Sequence, residues 1–108
     1  MNKSIAVIRL DGELEIGRKT EIAAALVIAG TESAILLDFS DVNYADSTSL
    51  AELLRFRDEA AKREVPVAIV TGSRQFARLV QYAGLSHAFR IFDNRAEALM
   101  NLAHDAKQ

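Results

Sequence analysis

The sequence of 108 residues predicts an α/β fold in which about four helices cover a mostly parallel central sheet of four to five strands. Short runs of β-forming residues alternate with segments whose apolar residues recur at the helical period, and this alternation is typical of parallel strands joined by crossover helices. Half of the residues are apolar, which suffices for one core at this length. Without a linker, repeat or low-complexity segment, the chain is predicted to be a single domain over residues 1–108.

The first third of the chain predicts two strands and a helix. Apolar β-formers from Ile5 to Leu10 predict a strand, and the turn dipeptide Asp11-Gly12 ends it. The alternating residues Glu13 to Ile16 predict a short second strand. Helical periodicity then predicts a helix from Thr20 to Ala29, and Gly30 stands where a helix C-terminal glycine is expected.

The middle of the chain predicts a buried strand, a loop and a long helix. The continuous apolar run from Ala34 to Leu37 is typical of a strand buried on both faces of a parallel sheet. The polar residues Ser40 to Asn43 predict a loop. A helix is expected from about Ser49 to Arg63, and the spacing of Ser49 and Glu52 predicts a capping box at its start.

The last third predicts two more strand–helix pairs. Val67 to Val70 follows a proline and reads as a strand, and Ser73 is placed to cap a third helix. Phe89 to Phe92 predicts a short strand. Asn94 then begins a capping-box pattern that predicts the final helix.

Composition excludes several classes of protein. The chain has no cysteine, which excludes disulfides and thiolate metal sites and fits a reducing compartment, so a cytoplasmic location is expected. A net charge of −2 does not favour nucleic acid. Charged residues interrupt every apolar run and the first residues lack a signal-peptide pattern, so no membrane insertion is expected. No cofactor and no metal site are expected, and the two histidines are interpreted as surface residues.

Polar residues accumulate where the buried strand leads into the long helix. Asp46, Ser47, Thr48 and Ser49 are expected at a helix N-terminus, where free amides and the helix dipole favour negative charge. A hydroxyl at such a position is a plausible phosphorylation site. Capping explains the same residue types, however, and the residues by themselves favour capping over phosphorylation.

The segment from Leu36 to Leu50 resembles the central signature of STAS domains, in which a buried strand ends in Asp-x-Ser and Asp-Ser-(Ser/Thr)-Gly-Leu opens a helix. The sequence Gly12-Glu13-Leu14-Glu15 resembles an early element of that family, and residues 84–92 resemble its C-terminal end. The resemblance spans nearly the whole chain. It implies a STAS fold similar to that of the anti-sigma factor antagonist SpoIIAA.

For the anti-sigma factor antagonists of this family, the resemblance implies a switch. The serine after the aspartate, Ser47 here, would be phosphorylated by a serine kinase that is also the anti-sigma factor, and a PP2C-type phosphatase would reset it. The unmodified protein would bind that kinase and free the sigma factor. Thr48 is a secondary acceptor candidate, and the expected partner-binding residues are Asp41, Tyr44, Asp46, Ser47, Thr48 and Ser49.

One departure from the family pattern keeps a second function open. Ser49 stands where the family has glycine, which would let a partner's backbone approach closely. The alternative is a STAS accessory subunit that binds the ATPase of a lipid-transport ABC transporter without phosphorylation, and a third reading is a sensor of small molecules in the carboxyl-end cleft. An enzyme is not expected, because no base is evident beside Ser47. Arg74 and Arg78 share a helix face that is interpreted as solvated, with an acidic partner as the alternative.

Overall fold

The computed structural model describes residues 4–106, which form an α/β fold with a four-stranded, entirely parallel sheet in the order β1-β2-β3-β4. This confirms the predicted fold class. The elements are β1 (Ile5–Leu14), a 3-10 turn (Ile16–Arg18), α1 (Lys19–Ala25), β2 (Ala34–Ala45), α2 (Ser47–Lys62), β3 (Val67–Val70), α3 (Arg74–Tyr82), β4 (Phe89–Phe92) and α4 (Arg95–Ala106).

The sheet separates two apolar clusters because successive side chains of a strand point to opposite faces. On one face, Ile35 and Leu37 of β2 pack with buried residues of α1, α2 and α3. On the other face, Leu36 packs with Ala98 and Leu102 of α4. Three helices therefore cover one face and α4 covers the other, and all three crossovers between strands run on the first face.

The two strands predicted between Ile5 and Ile16 are one strand. Asp11-Gly12 is not a turn: it lies within β1 at an irregularity in the register with β2. Gly12 has a φ of +70°, a left-handed conformation that glycine adopts without steric cost. The dipeptide therefore makes a bulge, and the strand continues to Leu14.

The loop predicted at Ser40 to Asn43 is also wrong, because β2 continues to Ala45. The extra length of β1 supplies the pairing partner: Asp11 lies opposite Asp41 and Leu14 opposite Ala45. Polar side chains are accommodated because Ser40, Asp41 and Asn43 point to exposed positions while Val42 enters the core. Only Asp46 now separates the strand from α2.

Helix α2 begins two residues before the predicted start, and its cap is Asp46 rather than Ser49. The predicted Ser49/Glu52 capping box is wrong, since both side chains are buried and Glu52 is instead 3.0 Å from Arg55. Helix α1 ends at Ala25, four residues before its predicted end. The caps predicted for the last two helices are confirmed: Ser73 accepts from an amide of α3, and Asn94 from one of α4.

Candidate functional site

The start of α2 is organised around the carboxylate of Asp46. One oxygen, Oδ1, accepts hydrogen bonds from the amides of Thr48 at 2.8 Å and Ser49 at 3.4 Å, which makes Asp46 the N-cap. The other oxygen, Oδ2, accepts from the amide of Ile16 at 3.1 Å, in the turn after β1. The backbone amide of Asp46 donates to the carbonyl of Leu14 at 3.0 Å. Asp46 thereby joins the end of β1 to the start of α2.

A second side chain fixes the same junction from the other side. Gln75, in the first turn of α3, donates to the carbonyl of Ala45 at 2.7 Å and accepts from its amide at 3.0 Å. Ala45 is buried at the last position of β2. Its backbone groups are thus satisfied by α3. The residues that precede Ser47 are held by three elements: the turn after β1, α2 itself and α3.

The three hydroxyls that follow Asp46 have different environments. Ser47 is exposed, and its hydroxyl has no hydrogen-bond partner within residues 4–106. Thr48 is half-buried. Ser49 is only 1% exposed, and its hydroxyl donates to the carbonyl of Asp46 at 2.7 Å. Of the three, Ser47 presents its oxygen to solvent, and Ser49 uses its oxygen inside the helix start.

Two large apolar side chains flank this serine. Tyr44 is 48% exposed and lies two residues before Asp46, at the end of β2. Ile16 is 72% exposed and is held next to Asp46 by the hydrogen bond from its amide. We call Ile16, Tyr44, Asp46, Ser47 and Thr48 the Ser47 site. An exposed hydroxyl in a site that also exposes two apolar side chains is suited to contact with a protein.

The sequence did not reveal the roles of Ile16 and Gln75. Ile16 fell at the end of an alternating pattern that predicts a strand, and only the turn after β1 exposes it. Gln75 follows the cap of α3, but nothing local indicates that its side chain reaches the backbone of β2. The capping pattern at Ser73, which places Gln75 in the first turn of its helix, is the one indication available from the sequence.

Asp41 lies apart from the Ser47 site. It is five residues before Asp46 on an extended strand, which separates the two by about 15 Å. Its carboxylate forms an ion pair with Arg9 on the neighbouring strand. Asp41 and Ser47 therefore do not converge on one small site, although both are exposed.

A second carboxylate, Asp38 on β2, is buried on the face that α4 covers. It accepts hydrogen bonds from the amide and hydroxyl of Ser40 and pairs with Arg95 of α4 at 3.1 Å. Burial pushes the pKa of Asp38 upward, but the hydrogen bonds from Ser40 and the charges of Arg95 and Arg9 outweigh it, and the pKa lies below its ordinary value. Asp38 anchors α4 to the sheet.

A crevice of about 490 Å³ opens where β3 and β4 end. It forms because the chain leaves β3 toward one face and β4 toward the other, which is the position where open α/β sheets form clefts. Thr71, Arg74, Asp93 and Glu97 line it among others. Within residues 4–106, no group of three or more histidine, aspartate or glutamate side chains is arranged to hold a metal ion, and no helix is long and apolar enough to cross a membrane.

The fold and the site define a small parallel α/β domain whose exposed serine opens a helix at the carboxyl edge of the sheet. The family model described as the STAS domain matches residues 1–98, and the chain belongs to this family. None of the curated proteins matches the chain in sequence.

Solved structures share this fold. An anti-sigma factor antagonist from Mycobacterium paratuberculosis is similar with a TM-score of 0.82 and 20% identity, over 95% of this chain and 89% of that one. A sulfate transporter family protein from Wolinella succinogenes has a TM-score of 0.82 and 20% identity, over 96% and 88%. The anti-sigma factor antagonist SpoIIAA in its unphosphorylated form has a TM-score of 0.70 and 19% identity, over 96% and 93%. At these identities the likeness shows the fold.

Proposed function

We propose that this chain is an anti-sigma factor antagonist whose partner is an anti-sigma factor serine kinase, and that phosphorylation of Ser47 switches the interaction off. The observation that carries the proposal is the geometry of Ser47: an exposed hydroxyl at the first position of α2, with no hydrogen bond to any other residue between 4 and 106. A kinase needs such access to its acceptor. Two of the solved structures with this fold are anti-sigma factor antagonists.

The proposed switch is electrostatic. A phosphate on Ser47 adds about −1.5 to −2 charges at a helix N-terminus, where the dipole tolerates negative charge, so the domain stays folded. The added charge lies on the residue after Asp46, in a site that also exposes Ile16 and Tyr44. A partner surface that covers these side chains would have to desolvate the phosphate, which is costly unless the charge is paired. The modification therefore opposes docking without unfolding the site.

The other residues near Ser47 take different parts in this proposal. Asp46 acts as a positioning residue, because its three amide hydrogen bonds fix where Ser47 stands. Tyr44, Ile16 and Thr48 supply contact area. We leave Ser49 out of the contact surface because its side chain is buried, and we leave Asp41 out because it lies far along the strand.

The proposal is tested by affinity capture from extract of the source organism, with proteins identified by mass spectrometry. Wild type, Ser47→Ala and Ser47→Asp serve as baits. We expect a serine kinase of the anti-sigma type with wild type and Ser47→Ala, and its loss with Ser47→Asp. Ser86→Ala, at an exposed serine just before β4 and away from the Ser47 site, is the matched control and should capture the kinase as wild type does. Equal capture of the kinase by Ser47→Asp and wild type would contradict the proposed phosphorylation switch. Failure of every bait to capture such a kinase would contradict the proposed function as a whole.

A second candidate function is that of an accessory subunit that binds the ATPase of a lipid-transport ABC transporter. Two observations support it: Ser49 occupies the position of the family's glycine, and a sulfate transporter family protein shares the fold. This function needs no phosphorylation. The same capture experiment separates the two, because a transporter ATPase recovered equally with wild type and Ser47→Asp supports the accessory subunit.

A further inference from the structure

Among the arginines of residues 4–106, the two on α3 differ from the rest in having no partner in this part of the chain. Arg74 and Arg78 are exposed, and neither makes an ion pair or hydrogen bond within residues 4–106. The other arginines of this part of the chain all have a carboxylate, amide or carbonyl partner: Arg9, Arg18, Arg55, Arg57, Arg63, Arg90 and Arg95. The two free guanidinium groups therefore lie together on one helix.

Helix α3 itself contains no acidic residue, although Asp93 and Glu97 line the crevice that Arg74 also borders. The helix sequence from Arg74 to Tyr82 contains neither aspartate nor glutamate, although the chain as a whole carries a net charge of −2. The two arginines are spaced i,i+4, so they lie on the same side of the helix. A pair of unpaired guanidinium groups is suited to bind carboxylates, because each offers several donors in a planar fork.

An apolar depression lies beside the arginines. Gln75, Arg78, Leu79 and Tyr82 line a groove of about 310 Å³, and their spacing places them along one face of α3. Tyr82 is 82% exposed, so most of its ring is open to contact with a partner. Tyrosine and arginine are the residue types that most often dominate the energetics of protein interfaces. The face thus combines cations with an aromatic anchor.

This face is physically continuous with the Ser47 site. Gln75 lines the groove and is also hydrogen-bonded to both backbone groups of Ala45, two residues before Ser47. Tyr82 lies seven residues further along α3, a distance of about 10 Å at the helical rise. Protein interfaces of ordinary size bury about 800 Å² on each partner. A partner centred on Ser47 would reach the α3 face.

We propose that the exposed face of α3 is the second half of the docking surface, and that the protein bound at Ser47 meets it with an acidic patch. Carboxylates of the partner would pair with Arg74 and Arg78, and an apolar side chain would enter the groove beside Tyr82. The identity of the partner rests on the proposed function, whereas the acidic chemistry rests on α3 itself. Ser47 would control binding, and α3 would select which kinase binds.

Photo-crosslinking in cells of the source organism tests the location. The crosslinking amino acid benzoylphenylalanine replaces Tyr44, Tyr82 or Met100, one at a time, in the full chain. Met100 is exposed on α4, on the opposite face of the sheet, and serves as the control. We expect the same anti-sigma serine kinase to crosslink from Tyr44 and Tyr82 and not from Met100. Crosslinking of that kinase from Tyr44 but not Tyr82 would overturn the inference and leave the proposed function intact.

Titration with the purified kinase tests the chemistry. Arg78→Glu should weaken binding roughly tenfold or more, because opposed like charges at an interface are unfavourable. Lys62→Glu makes the same charge change on an exposed residue at the far end of α2, which has no ion pair within residues 4–106, and should change affinity less than twofold. Arg78→Gln should fall between wild type and Arg78→Glu. Equal affinities for Arg78→Glu and Lys62→Glu would overturn the inference, whereas loss of the Ser47→Asp effect alone would overturn the proposed function.

Discussion

The N-termini of α2 and α3 resemble each other, since each begins at the carboxyl end of one of two neighbouring strands behind a side-chain cap. At α3, Ser73 accepts one hydrogen bond, from the amide of Phe76 at 3.1 Å. At α2, Asp46 accepts two from its own helix and a third from Ile16, thirty residues away in sequence. The first cap is local, and the second also joins two elements of the fold.

The difference shows how the Ser47 site is held. A local cap secures one end of a helix, whereas the Asp46 cap and the clamp of Gln75 on Ala45 set the position of α2 relative to β1 and α3. The backbone that precedes the exposed serine is consequently held by hydrogen bonds to three elements, although the serine side chain has no partner within residues 4–106. Such a placement suits a residue that a partner must recognise.

Removing the two caps one at a time tests most directly whether the Asp46 cap stabilises the fold more than the Ser73 cap does. Asp46→Ala should lower the free energy of unfolding by about 2–3 kcal/mol, because a helix cap and a hydrogen bond to a charged acceptor are lost together. Ser73→Ala should lower it by about 1 kcal/mol. Urea unfolding followed by circular dichroism measures both. Equal losses would show that the bond to Ile16 contributes nothing.

The buried carboxylate of β2, Asp38, gives a second comparison with Asp46, through the pH dependence of stability. Because the pKa of Asp38 is lowered in the folded state, its ionised form stabilises the fold above the ordinary pKa, and this stability is lost as the pH falls through the folded-state pKa. Asp38→Asn should cost about 1–2 kcal/mol at neutral pH, since hydrogen bonds to a charged group are weakened. The difference in the free energy of unfolding between Asp38→Asn and wild type should shrink below pH ~4. Urea unfolding at neutral pH and below pH ~4 measures this difference, and an equal difference at the two pH values would contradict the expectation.

The clamp at Ala45 should have a smaller effect. Gln75→Ala removes two hydrogen bonds to buried backbone groups and should cost about 1 kcal/mol. Gln81→Ala, on the same helix at an exposed position, is the matched control and should stay within about 0.5 kcal/mol of wild type. Thermal unfolding measures both variants, and indistinguishable midpoints would mean that the clamp does not hold α3 to β2.

The smallest effect is expected at Ser47 itself. Ser47→Ala should change stability by less than about 0.5 kcal/mol, since an exposed hydroxyl without a partner is removed. Ser47→Asp should leave it unchanged or raise it by about 0.3–1 kcal/mol, because an acid at the first turn interacts well with the helix dipole. A loss above 1 kcal/mol in either variant would mean that Ser47 is structural, and binding losses would then have to be read as unfolding.

The fold class could be predicted from the sequence because hydrophobic periodicity and cap residues are local signals, whereas the function of the Ser47 site stays a prediction. The caps at Ser73 and Asn94 were found in this way. The features that could not be predicted depend on contacts between residues that are far apart in the sequence. The extension of β2 to Ala45 depends on a partner strand that passes through a bulge at Gly12, which looks like a turn when read alone. The Asp46–Ile16 bond and the Gln75 clamp likewise require the assembled sheet.

Phosphate mapping tests the central claim most directly. The purified chain is incubated with the captured serine kinase and ATP, and the modified residue is located by tandem mass spectrometry. We expect a single phosphate on Ser47, because Thr48 is half-buried and the hydroxyl of Ser49 is buried within the helix start. A phosphate on Thr48 or Ser49 in place of Ser47, or an unmodified chain after incubation with the active kinase, would contradict it.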